Sequence, residues 1–161
     1  MSSTAPEPAA SIAEITDDGG DPTLLYLVGR IDRVVRRAIG TVLKAHGLSV
    51  NQYTTLSVLN RSSGLYNAQL ARRALVSPQS MNEVLLTLED RGLVRRRAHP
   101  DHGRILQARL TAKGKALLAP CDADVHAVEA RMLSGLGDDD RQALRSTLLS
   151  GIRSLQGGLR E

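Results

Sequence analysis

The chain has 161 residues, a formal net charge of +4 and a sequence pI of about 9.7. With 42% hydrophobic and 24% charged residues it has the composition of one folded domain, and its basic balance favours a polyanionic partner. No apolar run is long enough to span a membrane, no basic-then-apolar leader opens the chain, and the single cysteine, Cys121, excludes an intramolecular disulfide, so the expected location is the cytoplasm.

Phenylalanine and tryptophan are absent and tyrosine occurs three times, so the core is expected to be aliphatic. Residues 1–21 are small, polar and acidic, with Pro6, Pro8 and the Gly19-Gly20 pair, the composition of a disordered tail. Leu24 to Ala45 reads as a long helix: Leu27, Ile31, Val34, Val35, Ala38 and Val42 belong to a broad apolar face, and Arg30, Arg33, Arg36 and Arg37 decorate the other side. Asn51 to Asn60 is a second helix, with Tyr53, Leu56 and Leu59 at helical spacing, and Ser62-Ser63-Gly64 is a turn.

The segment from Asn67 to Ala74 is a short helix, and only Leu75 and Val76 separate it from the next. That next helix is clearly punctuated. Ser77 is an N-cap, Pro78 fits the first helical position, and Gly92 supplies the backbone freedom needed beyond the last turn. Met81, Val84, Leu85 and Leu88 form one buried stripe, while Gln79, Asn82, Glu83, Leu86 and Asp90 lie opposite. A helix of about 14 residues is roughly 21 Å long, long enough for a major groove of about 12 Å width. Leu93-Val94 starts a strand, Pro100 and Gly103 mark a turn, and Leu106, Ala108 and Leu110 alternate as a returning strand does.

Between Arg91 and Lys115 the basic residues are Arg91, Arg95, Arg96, Arg97, Arg104, Arg109, Lys113 and Lys115, and the only acid is Asp101. Such a hairpin matches phosphates, unless its arginines pair with acids elsewhere. Thr111 caps a helix expected to run from Ala112 to about Leu136, kinked at Pro120. Asp138-Asp139-Asp140 opens the last helix, whose stripe is Leu144, Leu148, Ile152 and Leu155.

Four pieces of this stretch together resemble the MarR family of bacterial transcription regulators. They are Val76 to Met81 (VSPQSM), the Gly92-Leu93-Val94 exit, His102-Gly103-Arg104 at the wing tip, and Leu110-Thr111-Ala112-Lys113-Gly114. The resemblance covers roughly residues 24–155. It implies a mainly α fold with a small β-wing (α+β). A winged helix-turn-helix core over about residues 50–111 is flanked by dimerisation helices at about 24–46 and 112–157. The expected partners are double-stranded DNA and a second copy of the chain. The expected function is a ligand-relieved repressor at a pseudo-palindromic operator.

Candidate DNA contacts are Ser77, Gln79, Ser80, Asn82 and Glu83 on the recognition helix and Arg95, Arg97 and Arg104 on the wing. Gln and Asn can each pair bidentately with adenine, while Ser80 serves equally well in a first-turn hydrogen bond. Glu83 either accepts from cytosine N4 or pairs with a nearby arginine, and both readings stand. By resemblance Arg104 is the wing-tip arginine that enters the minor groove. The family places an aspartate two residues before it, where this chain has His102. Arg95, Arg96 and Arg97 alternate along a strand, which favours Arg95 with Arg97 on one side.

The resemblance also implies a small, often anionic aromatic effector held between the dimer helices and the DNA-binding core. Tyr26, Arg30, His46 and Tyr53 lie on elements that border such a cleft. Cys121 reads as a small buried residue, with redox sensing as the alternative. The histidines are scattered without metal-ligand spacing, no enzyme motif is present, and no cofactor is expected. A winged helix used for protein docking is the rival from another class.

Overall fold

The computed structural model describes residues 20–98 and 105–157. The expected tail, except for its last two residues, lies outside them, as do Arg104 and His102. The described elements are α1 (Leu24–Lys44), α2 (Val50–Arg61), β1 (Leu65–Tyr66), α3 (Asn67–Ala74), α4 (Pro78–Asp90), β2 (Val94–Ala98), β3 (Leu106–Leu110), α5 (Ala112–Met132) and α6 (Asp138–Gly157). This is the mainly α arrangement with a small wing that the sequence leads one to expect.

Hydroxyl caps set the helix starts. The Ser77 Oγ accepts from the Ser80 N–H at 3.1 Å, and the Thr111 Oγ1 from the Gly114 N–H at 3.0 Å. At α2 the Ser49 hydroxyl and the Gln52 side chain form a reciprocal capping box, which starts that helix at Val50, one residue earlier than its periodicity suggests. α5 stops at Met132 rather than near Leu136. There Arg141 reaches back from α6 and donates to the carbonyls of Leu136 (3.0 Å) and Leu133 (3.1 Å), holding a turn between the helices.

The sheet order is β1-β3-β2, antiparallel throughout, with Leu65 opposite Ala108 and Val94 opposite Leu110. β1 was not expected. Two residues carry no readable alternation, and β1 exists only because β3 offers its free edge.

The core is aliphatic, as composition requires. Leu43 of α1, Leu56 and Leu59 of α2, Leu70 of α3, Met81, Leu85 and Leu88 of α4, Leu93, and Leu118 of α5 are buried together. The first half of α1 and all of α6 bury nothing. Leu24 is 80% exposed and Leu155 72%, with Val28, Ile31, Leu148 and Ile152 exposed between them.

The joint between α3 and α4 carries strain. Leu75 takes the left-handed conformation (φ 56°, ψ 41°) with its side chain 81% exposed. The conformation lets the Val76 N–H reach the Ala71 carbonyl at 3.0 Å and turn the chain into α4. A side chain with a Cβ is penalised there, and this one buries little in return. Leu75→Gly is therefore expected to stabilise the fold by about 1 kcal/mol. The check is the urea midpoint, and an unchanged or lower value contradicts the strain argument.

Candidate nucleic-acid interface

The helix-turn-helix is built around the two faces of α4. Met81, Leu85 and Leu88 anchor the inner face in the core. At 3.6 residues per turn the side directly opposite carries Gln79, Glu83 and Leu86, spaced four and three residues apart, and all three are exposed. Asn67, the first residue of α3, sets the angle of entry by donating through Nδ2 to the Pro78 carbonyl at 2.9 Å. Its Oδ1 is buried and has no partner among the described residues.

The recognition-helix candidates divide by what already holds them. The Ser77 hydroxyl accepts from the Ser80 backbone and donates to the Ser80 hydroxyl at 2.9 Å, so both serines serve the cap. Asn82 lies toward the wing, where its Oδ1 accepts from Arg96 Nη1 at 3.3 Å. Its Nδ2 makes no hydrogen bond among the described residues, so the free group of this amide is a donor, which disfavours the bidentate pairing with adenine. Gln79 and Glu83 make no side-chain hydrogen bond or ion pair among the described residues.

The wing is fastened to α4 by Arg96, a role that sequence reasoning missed. Glu89, near the end of α4, accepts from the Arg96 backbone N–H at 2.9 Å through Oε1 and from Arg96 Nε at 2.8 Å through Oε2. Burial tends to raise the Glu89 pKa, but the backbone and side-chain hydrogen bonds from Arg96, with its charge, outweigh burial and hold the carboxyl below its usual range. Strand alternation then turns Arg95 and Arg97 to the opposite, exposed face, with Arg109 directly across from Arg95. Arg109 was also missed as a site residue. The period of two that separates Arg96 from its neighbours was the available signal.

The basic residues of this region do not all remain available. Arg91 donates to the Gly47 carbonyl at 2.8 Å, and Lys113 to the Arg91 carbonyl at 2.8 Å. Arg96 is neutralised by Glu89. Arg95, Arg97 and Arg109 keep their charge without a carboxylate among the described residues, and Arg72 and Arg73 are exposed on α3.

A model of the MarR family matches residues 46–105, the stretch from the turn after α1 to the start of β3. The HTH-type transcriptional repressor Rv2887 of Mycobacterium tuberculosis is 44% identical over 116 residues, 72% of this chain and 84% of that repressor. The chain belongs to the MarR family. The structure of Rv2887 in complex with DNA aligns with a TM-score of 0.67 at 38% identity, over 81% of this chain and 98% of that one. Its complex with salicylic acid aligns at 0.68 and 39%, over 82% and 98%. A MarR-family regulator from Silicibacter pomeroyi aligns at 0.73 and 27%, over 81% and 88%.

The four effector candidates of this MarR-family chain do not converge within one protomer. Tyr26 and Arg30 share a stripe of α1 with Arg33 and Arg37. His46 is 20 positions beyond Tyr26, about 30 Å along a helix. There its Nε2 lies 2.6 Å from Asp124 Oδ2. Tyr53 donates to Asp122 Oδ1 at 2.8 Å, and burial, with Asp122 assisting, raises its pKa. His46 and Tyr53 thus tie the chain after α1 and α2 to the middle of α5. Cys121 lies between these ties, 0% exposed, donating to the Leu117 carbonyl at 3.1 Å. Burial, then Asp122 and Asp124, push its thiol pKa up. A redox sensor needs access and thiolate character, and Cys121 has neither.

Proposed function

We propose that this chain is a homodimeric transcriptional repressor that binds a pseudo-palindromic operator in duplex DNA and is released by a small aromatic acid. One observation carries the reading: the anchored helix α4 presents an exposed ridge beside a wing whose outer arginines have no carboxylate partner among the described residues. Ser77, Gln79, Ser80, Asn82 and Glu83 would meet the major groove or its flanking phosphates. Arg95, Arg97 and Arg104 would meet the backbone and minor groove. DNA lies in the cytoplasm of a bacterium, and the protein would act there.

The exposed stripes of α1 and α6 are too large to leave in water, and a twofold partner covers them. The dimerisation helices, about 24–46 and 112–157, would then place two DNA-binding cores, about 50–111, roughly one DNA turn apart. The salicylic acid complex of Rv2887 supports an aromatic carboxylate as the effector class. Such a carboxylate would compete with Asp124 and Asp122 for His46 and Tyr53. That would loosen α5 from the DNA-binding core and favour a dimer with the wrong half-site spacing.

The test is binding to the promoter DNA beside its own gene at two salt concentrations, for wild type, Arg97→Ala and Arg104→Ala. Tight binding is expected to weaken steeply with salt, and each variant to lower the salt slope by about one. Salicylate titrated into the complex should release the DNA. If no duplex from a selected pool binds, the reading fails in favour of protein docking; if salicylate and related aromatic acids bind the protein yet leave the complex intact, only ligand relief fails.

A further inference from the structure

We propose that Glu83 reads a cytosine in each operator half-site by accepting a hydrogen bond from its exocyclic N4 amino group. The proposal rests on the DNA-binding reading above and names what the most outward position of α4 recognises. Glu83 lies opposite the buried stripe of Met81, Leu85 and Leu88, between exposed Gln79 and Leu86. It is the one ridge side chain in the middle of α4 that is charged, and its charge has the sign of DNA.

A carboxylate is acceptor-only. Against a polyanion it needs a cation from the protein or a donor from a base. No cation among the described residues lies within ion-pair distance of it. The positions three and four residues away on the helix are Gln79, Ser80, Leu86 and Thr87, and the Thr87 hydroxyl donates to the Glu83 backbone carbonyl at 3.0 Å. Arg96, the arginine that reaches α4 from the wing, is held by Glu89 and Asn82. Arg91 is bound to the Gly47 carbonyl on the far side of the fold. Glu83 thus makes no ion pair among the described residues.

With no partner for Glu83 among the described residues, the donor is assigned to the groove. Major-groove edges carry two kinds of donor, cytosine N4 and adenine N6. Adenine sets its N7 acceptor beside N6, and guanine presents only acceptors, O6 and N7. Thymine adds O4, a further acceptor. Adenine N6 is thus flanked by acceptors on both sides, its own N7 and the paired thymine O4, whereas cytosine N4 has the paired guanine O6 on one side only and the C5–H on the other, leaving room for the second carboxylate oxygen. Guanine and thymine leave the charge facing lone pairs and adenine crowds its one donor between two, so Glu83 selects mainly by penalising the wrong base. Asn82, one position earlier, has its carbonyl engaged by Arg96 and its amide donor without a partner among the described residues, complementing the acceptor of Glu83 within a single turn.

The experiment is operator selection from a randomised duplex pool with the full chain, wild type beside Glu83→Ala and Glu83→Gln. The side chain is exposed, and circular dichroism checks that both variants fold. Wild type should select cytosine at one symmetric position of each half-site, and changing it to thymine should weaken binding about tenfold or more. Glu83→Ala should bind the cytosine and thymine operators within about twofold of each other, with an unchanged salt slope. If wild type selects a site and both variants select it with the same preference at every position, the proposal is overturned while DNA binding stands. If wild type selects no duplex, the DNA-binding reading falls and takes this assignment with it.

Discussion

Gly114→Ala is expected to destabilise the fold by about 3 kcal/mol, measured as a large drop in the denaturant midpoint. A Cβ at Gly114 would fall on the Leu93 carbonyl oxygen and within 2.8 Å of Leu110 Cδ1. The leucine can rotate, but the carbonyl is fixed. It accepts from the Thr111 N–H at 3.1 Å, and the Thr111 hydroxyl, 3.1 Å away, also donates to the Gly92 carbonyl at 2.8 Å while capping α5. Moving the Leu93 peptide therefore disturbs the end of α4, the start of β2 and the first turn of α5 together. Gly135, in the turn between α5 and α6, provides the control. Nothing lies within 4 Å of a Cβ there and its φ is not positive, so Gly135→Ala should be neutral or stabilise by up to about 1 kcal/mol. Equal midpoints for the two variants would show that α5 approaches the sheet less closely than described.

Arg96→Ala is expected to weaken operator binding about tenfold, as much as losing a direct contact of about 1.4 kcal/mol, although Arg96 faces the protein. Its side chain holds β2 to α4 through Glu89 and orients the Asn82 amide. Without it the wing and recognition helix lose their shared register. Glu89 is about one-third exposed, so solvent screening limits the stability loss to about 1 kcal/mol. Acid separates this role from a simple loss of positive charge. The Glu89 pKa is depressed on folding, so its contribution is present above its unfolded pKa and is lost as pH falls through the folded value. The stability gap between wild type and Arg96→Ala should therefore hold at neutral pH and close on acidification through the carboxylate range. A gap that persists into strong acid would assign Arg96 no partnership with Glu89. Arg95→Ala is the comparison: it should weaken DNA binding without changing stability.

Much of this molecule is legible because its signals are local. Ser77-Pro78 at one end of α4 and Gly92 at the other depend on backbone geometry within a few residues. The Gly92 N–H bonds to the Glu89 carbonyl at 2.8 Å and the Leu93 N–H to Leu88 at 2.9 Å, the closure a glycine permits at φ 69°. The stripe of Met81, Leu85 and Leu88 follows from helical period alone. β1 was illegible because its two residues pair with a strand more than 40 positions away. Strand alternation already set Arg96 apart from Arg95 and Arg97, but its partner was hidden, because only the fold brings Glu89 of α4 within hydrogen-bonding range of β2.

The same division holds for the site. Periodicity, caps and charge were enough to determine the helix-turn-helix, the wing, the aliphatic core and the outward face of Gln79, Asn82, Glu83, Leu86 and Asp90. Each of these depends on neighbours within a turn or a strand. The tertiary structure alone decided which arginines remain unpaired, which face of Asn82 is open, and that His46 and Tyr53 are already bound to Asp124 and Asp122. Those outcomes depend on which distant residues come within hydrogen-bonding range, and the fold sets those distances, not the spacing along the chain.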